Sequence, residues 1–362
     1  MNAKHLRSGA LFLALILMSL TGIAESARID YSEPLQQFEL QKKTQGEAVR
    51  FNAFGKRFDV SLAPNQNVLS LAVREHLAAG VGVYRGSVDG VPGSWVRLVV
   101  ADGIPRGLLW DGNEMYAIEA NKETAGAAHM FRLSDLQIPP GTMTCAQAVG
   151  PITASDVLAA VSKDIGPYVA EAAGAESSLD LAVIADFEFA SDKGNDAQTA
   201  LVTRINNVDG IFSEQLGVQI NLARTDIFES SNDPFTDESD SGRLLDELTD
   251  YRNANANQHA NGLTHLFTGR DLDGSTVGVA YTSAICSRRF GAGLTQGTHS
   301  DSLDSLIAAH EIGHNFGAPH DGTSGSACDG TDQSFLMAPR LNGSDTFSAC
   351  SIQQMQDDVN RA

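Results

Sequence analysis

Apolar residues fall into two rhythms along this chain, and the change comes near its middle. From about residue 30 to 140 they come in short runs or alternate with polar ones. Arg57–Leu62, Ser94–Val100 and Met115–Ile118 do so between turn signals such as Val91-Pro92-Gly93 and Asp102-Gly103. This pattern predicts short β-strands. A stretch rich in Ala, Gly and Ser follows from about 146 to 178, and its end, Ala172 to Ser178, reads as a linker. Beyond it, strand and helix periods alternate. Leu179–Ala185, Val218–Ala223, Leu263–Thr268 and Val277–Tyr281 read as strands. Leu201, Ile205, Val208, Ile211, Phe212 and Leu216 recur at helical spacing, predicting an amphipathic helix over about 196–216. Leu244, Leu245, Leu248 and Tyr251 mark a second helix, and Leu303, Leu306 and Ile307 lead a final long one. Strands alternating with helices predict a mixed α/β layer arrangement over residues 179–320, with no internal repeat.

The first residues stand apart. Lys4 and Arg7 precede an uncharged run from Leu11 to Ile23, and Gly22 and Ala24 are small residues placed for a cut after Ala24. That combination predicts a secretory signal over residues 1–24. The run is too short for a bilayer span, which needs roughly 20 apolar residues. No later stretch is long and apolar enough, so the mature chain is expected to be exported, without stable membrane insertion, into a compartment where disulfides persist.

Hydrophobic residues at 42% and charged residues at 19% give a globular balance and exclude a disordered or collagen-like chain. With 25 Lys plus Arg against 45 Asp plus Glu, the formal charge of −20 argues against nucleic acid as partner. The charge is uneven. Residues 25–177 carry 18 acids and 13 bases (−5), and residues 178–362 carry 27 acids and 10 bases (−17).

The chemistry concentrates in His310-Glu311-Ile312-Gly313-His314-Asn315-Phe316-Gly317-Ala318-Pro319-His320-Asp321. On a helix, His310 and His314 leave the same face one turn apart, able to reach one zinc ion at about 2.0–2.1 Å. Gly317 can take a positive φ and stop the helix, Pro319 blocks its continuation, and His320 can return as third ligand. Three histidines leave a position for water. Glu311 lies beside the ion rather than on it, placed to act as general base. This extended H-E-x-x-H pattern is the metzincin signature.

On these residues the chain resembles the adamalysin (reprolysin, ADAM-type) branch of the metzincins, in which an Asp such as Asp321 follows the third histidine. Met337, in Ser334-Phe335-Leu336-Met337-Ala338-Pro339, looks like that branch's Met-turn methionine. Phe347-Ser348-Ala349-Cys350-Ser351, Leu181–Phe189, Thr268-Gly269-Arg270-Asp271 and Val279-Ala280-Tyr281 are similar to other family stretches. The resemblance implies an α/β (α+β) metzincin-like catalytic domain over 178–362, with a mixed sheet and an active-site helix. It also implies a substrate-pairing edge strand through Val277, Gly278, Val279 and Ala280. Phe51 to Lys56 and Tyr84 to Val88 look like the same branch's propeptide, implying a β-rich propeptide domain with linker over 25–177 that inhibits until removed.

The resemblance favours a Cys328–Cys350 disulfide. Cys145 suggests a thiolate switch on the zinc, because proenzymes of this branch often use one. Cys286 lacks the later cysteine that usually pairs with its counterpart. Either Cys286 stays free while Cys145 acts as the switch, the preferred reading, or Cys145 and Cys286 bond and there is no switch. Calcium stays open: Asp180 fits one expected ligand, but no acid lies near Asn261-Gly262 where another is expected. Asp233, Asp237, Glu238 and Asp240 read as a solvated acidic loop, and His259, His265 and His299 as non-ligands. Asn342-Gly343-Ser344 is a glycosylation sequon. The expectation is a secreted, monomeric zinc endopeptidase made as a proenzyme, acting on protein or peptide substrates. The alternatives are an exported binding or adhesion protein on the same scaffold, or a toxin-like protease of narrow specificity.

Overall fold

The computed structural model describes residues 27–42, 46–65, 67–121, 124, 126–148 and 177–360. The expected signal segment and most of the expected linker lie outside them. Residues 33–132 form the expected β-rich half: a nine-stranded antiparallel sheet, including β1 (Trp95–Ala101). The three strands foreseen here are present as Lys56–Pro64, Trp95–Ala101 and Met115–Ala120.

The second sheet has six strands and is mixed: β2 (Thr144–Ala148), β3 (Ser177–Ala185), β4 (Val218–Ile227), β5 (Leu263–Thr268), β6 (Thr276–Tyr281) and β7 (Ala292–Gln296), in the order β2-β6-β7-β5-β3-β4. Leu181 to Ala185 are fully buried, so β3 is apolar on both faces rather than alternating. Four neighbouring pairs are parallel, and only β6 against β7 is antiparallel. The four longest helices of this half are α1 (Ala197–Leu216), α2 (Ser241–Ala254), α3 (Asp301–Asn315) and α4 (Ala349–Val359). The helix carrying the histidines is therefore not the last: α4 follows it.

Two further expectations change. The helix over 196–216 is present but not amphipathic in the usual sense, because Thr199 to Phe212 are all buried. One side of α1 packs under the mixed sheet and the other receives the antiparallel sheet. Its polar residues from Thr199 to Asp209 face protein partners, not water. The expected domain boundary also shifts in structural terms: β2 precedes the linker yet is a strand of the second sheet.

Candidate active site and metal centre

Helix α3 begins where the Ser300 side chain accepts from Leu303 N at 3.4 Å, with Asp301 and Asp304 in the first turn, where carboxylates suit the helix dipole. Arg204 of α1, fully buried, donates to Asp301 at 2.6 Å and Asp304 at 2.7 Å and ties the two helices together. The helix ends in a complete Schellman arrangement: Gly317 N donates to His314 O at 2.8 Å and Ala318 N to Gly313 O at 3.0 Å. Gly317 takes φ +101°, and a Cβ there would sit 2.3 Å from Asp358 Oδ2. This turn returns the chain so that His320 faces the helix.

The three Nε2 atoms of His310, His314 and His320 converge at 3.1, 3.1 and 3.2 Å from one another. His310 Nδ1 lies 2.7 Å from Leu336 O, and His314 Nδ1 2.7 Å from Ala318 O. A carbonyl can only accept, so both Nδ1 atoms carry the proton and both Nε2 atoms present bare lone pairs. Lone pairs this close suit a shared cation. Zinc bonds of about 2.0–2.1 Å at tetrahedral angles would set nitrogens about 3.3 Å apart, so the cluster fits that ion. Burial keeps the imidazoles neutral, pushing His310 down to about 3 and His320 to about 4, with His314 well below its usual value. Met337 lies against α3: a Cβ on Gly313 would meet its Sδ at 2.7 Å, so glycine there admits the methionine side chain.

Glu311 is buried, and a Cβ on Gly278 would come within 2.5 Å of its Oε1, which places the carboxylate under β6. Cys145, also buried and free, pairs with Gly278 in β2 against β6. The ligand atoms of Cys145, His310 and Glu311 all lie within 4.8 Å of one another. Burial raises both acids far above their usual values, aided at the thiol by the Glu311 charge. Strand β2 lies between β6 and the segment at Arg340 and Leu341. On one side it pairs with Val279 and Ala280 of β6; on the other, Leu341 N donates to Met143 O at 3.1 Å and Thr144 bridges Arg340. Within this chain, then, the expected edge strand is covered by β2.

The remaining candidates separate cleanly. Cys328 and Cys350 are bonded, whereas Cys286 is free and exposed, so the Cys145–Cys286 bridge is not what the structure has. His265 bonds Thr295 Oγ1, His299 meets Asp304 and His259 meets Arg252 O, all away from the cluster. In the acidic loop, Asp233 accepts from Phe187 N and Phe235 N, Asp240 caps α2 and Glu238 pairs with Arg243. Asp180 accepts from Asn221. The Asn342 amide donates to Gln333 O and Phe335 O, closing the loop around Met337. Sequence reasoning missed Asn315. Its buried Nδ2 donates to Tyr281 O at 2.8 Å and Ala292 O at 2.9 Å, fastening β6 and β7 to the end of α3. A side-chain amide bridging carbonyls leaves no spacing signal.

Comparison with known proteins bears on this geometry. A family model described as Metallo-peptidase family M12, of the reprolysin type, matches residues 175–348. Snake venom metalloproteinase TM-1 of Protobothrops mucrosquamatus is 33% identical over 184 residues, covering 49% of this chain and 88% of that protein. Snake venom metalloproteinase acutolysin-C of Deinagkistrodon acutus is 44% identical over 100 residues, 26% of this chain and 23% of that one. Disintegrin and metalloproteinase domain-containing protein 19 of Mus musculus is 26% identical over 305 residues, 78% of this chain and 33% of that one. The chain thus spans most of the first relative but a third or less of the other two.

Proposed function

Since the chain belongs to the reprolysin group of metallo-peptidase family M12, we propose that it is a secreted zinc endopeptidase made as a proenzyme. In this reading His310, His314 and His320 hold the ion through Nε2. The observation that carries the reading is the convergence of three imidazole Nε2 atoms, two of them on rings whose Nδ1–H donates to a backbone carbonyl. When bound, zinc supplies Lewis acidity toward a peptide carbonyl and toward water.

The protein's own groups do the rest. Glu311 takes the proton of the attacking water on its carboxylate and returns it to the departing amide nitrogen. Its place under Gly278 sets it beside any chain paired on β6. Strand β6, once β2 is gone, offers unpaired N–H and C=O groups to an extended peptide, so main-chain pairing aligns the substrate. Before that, β2 fills the same position and brings Cys145 Sγ within 4.8 Å of ligand atoms of His310 and Glu311; in this reading the thiol takes the fourth position on zinc. Latency on this reading comes from residues 25–177, as propeptide. Secretion is supported by the charged, apolar and small-residue order of residues 1–24 and by the venom origin of two relatives. No helix among the described residues is long and apolar enough to cross a membrane.

The test uses protein whose N-terminal half has been digested away, supplied with a mixed peptide library, with and without a zinc chelator, beside Glu311→Ala. Cleavage should vanish in both arms. Cleavage that persists through chelation and substitution would refute the reading.

A further inference from the structure

The place that strand β2 occupies is bounded on two sides, and only one of them is β6. Its other neighbour is the segment that follows Met337: Leu341 N donates to Met143 O at 3.1 Å, and Cys145 N to Pro339 O at 3.4 Å. Those two bonds flank the antiparallel bridge of Thr144 with Arg340. Thr144 and Arg340 are therefore a non-hydrogen-bonded pair, in which opposed side chains come closest and leave on one face. A chain lying here is the middle strand of three, so backbone register alone fixes which of its side chains meets Arg340.

Alternation sorts the neighbours of that position. Met143 and Cys145 turn to the other face, where they pack with Val277, Leu303 and Ile307. Thr144 has a polar setting: its hydroxyl lies 3.0 Å from that of Ser275, and its N–H donates to Ser275 O at 2.7 Å. Arg340 is exposed, and among the described residues its guanidinium has no ion pair and no hydrogen bond. That is unusual in a half with 27 acids against 10 bases. Arg224, Arg243, Arg270 and Arg289 are all paired with carboxylates.

We propose that Arg340 is a specificity-determining residue, selecting peptides with an acidic side chain at the position taken here by Thr144. With the Ser275 hydroxyl on the β6 side, the subsite offers a cation and a donor to a carboxylate, which only accepts. The adjoining residue of the peptide enters the apolar face among Val277, Leu303 and Ile307, so the preferred sequence sets one acid beside one apolar residue. The inference deepens the endopeptidase reading and rests on it. The acidic surface around the subsite repels such peptides at long range, so the preference is local to one position.

The intact chain supplies the first test, with β2 standing in for the peptide. Thr144→Glu, Thr144→Gln and Thr144→Lys are each made with Arg340 and with Arg340→Gln, and unfolded in urea. With Arg340 the midpoint should fall in the order Glu, Gln, Lys; with Arg340→Gln the spread should largely collapse. An equal spread in both backgrounds would overturn the proposal. The order is read within one background, so a general loss of stability on replacing Arg340 does not disturb it. The second test is cleavage by protein whose N-terminal half has been digested away, using one peptide with Glu, Gln or Lys walked through the positions on both sides of the cut. At one position, beside an apolar residue, kcat/KM should favour Glu over Gln about fivefold and over Lys about twentyfold, the scale of an opposed charge pair. Arg340→Glu should reverse the order of Glu and Lys at that position alone. Equal rates at every position, or a preference for Glu that survives Arg340→Glu, would overturn the proposal. Failure to cut any of the peptides would count against the endopeptidase reading instead, and the urea series still decides whether Arg340 reads charge at this position.

Discussion

Replacing Asn315 by Asp changes one nitrogen for one oxygen and should cost this protein much of its stability and most of its activity. In the native chain both hydrogens of Nδ2 are used, on Tyr281 O at 2.8 Å and Ala292 O at 2.9 Å, and the residue is 1% exposed. The Asn315 carbonyl in turn accepts from Ala284 N and Ile285 N, so one residue joins the last turn of α3 to both ends of the segment from β6 to β7. Aspartate would face two carbonyl oxygens with an acceptor. Each buried carbonyl left without its donor costs roughly 1–3 kcal/mol, so the pair predicts a loss of about 2–5 kcal/mol. Urea unfolding gives the stability, read as a shift in midpoint at constant slope. Because β6 carries Gly278 beside Glu311, cleavage of a fixed peptide by matured protein should fall about a hundredfold, the scale of an ångström of misplacement. A midpoint shift worth less than about 0.5 kcal/mol, the range of an ordinary surface substitution, would refute the bridging role.

Three more outcomes follow from single residues. Burial lowers His265 to about 3, below an unfolded value near 6.5. Its contribution is therefore complete above pH 6.5 and is lost as pH falls, by about 2 kcal/mol at pH 5. His265→Asn should flatten the stability profile between pH 7 and 5, and an unchanged slope would contradict the assignment. The Cys328–Cys350 bridge closes a separation of 22 residues, so the double alanine variant should lose about 3 kcal/mol in chemical denaturation. Gly278→Ala sets a Cβ within 2.5 Å of Glu311 Oε1. Turnover should drop with KM nearly kept, whereas a KM effect alone would place Glu311 away from this contact.

How far the sequence disclosed all this depends on the kind of signal each part leaves. Helix α3 and the turn that brings its histidines together with His320 were legible because imidazole spacing, a helix-stopping glycine and a following proline each carry one physical meaning. Strands such as Leu263–Thr268 were legible from their apolar runs. The segment Ala292–Gln296 was not, since a short central strand of small residues shows neither alternation nor bulk. Helix α1 misled for a different reason. An amphipathic helix was expected, but the partners of its polar residues Arg204, Asn206 and Asp209, namely Asp304, Asn65 and Arg97, lie about 100 residues or more away in the chain, and no local pattern reports them. The same distance hid β2, whose pairing with β6 is set by tertiary fit rather than by its own five residues. Resemblance to a family pointed to Met337, and the close approach at Gly313 explains why it sits there.

The most direct test of the central claim is metal content and turnover measured together on Glu311→Gln, after the N-terminal half has been digested away. If three histidines hold the ion and Glu311 only moves protons, the variant keeps one zinc per chain while peptide cleavage falls by about 10²–10⁴. Zinc lost along with activity, or activity retained with zinc in place, would contradict the account.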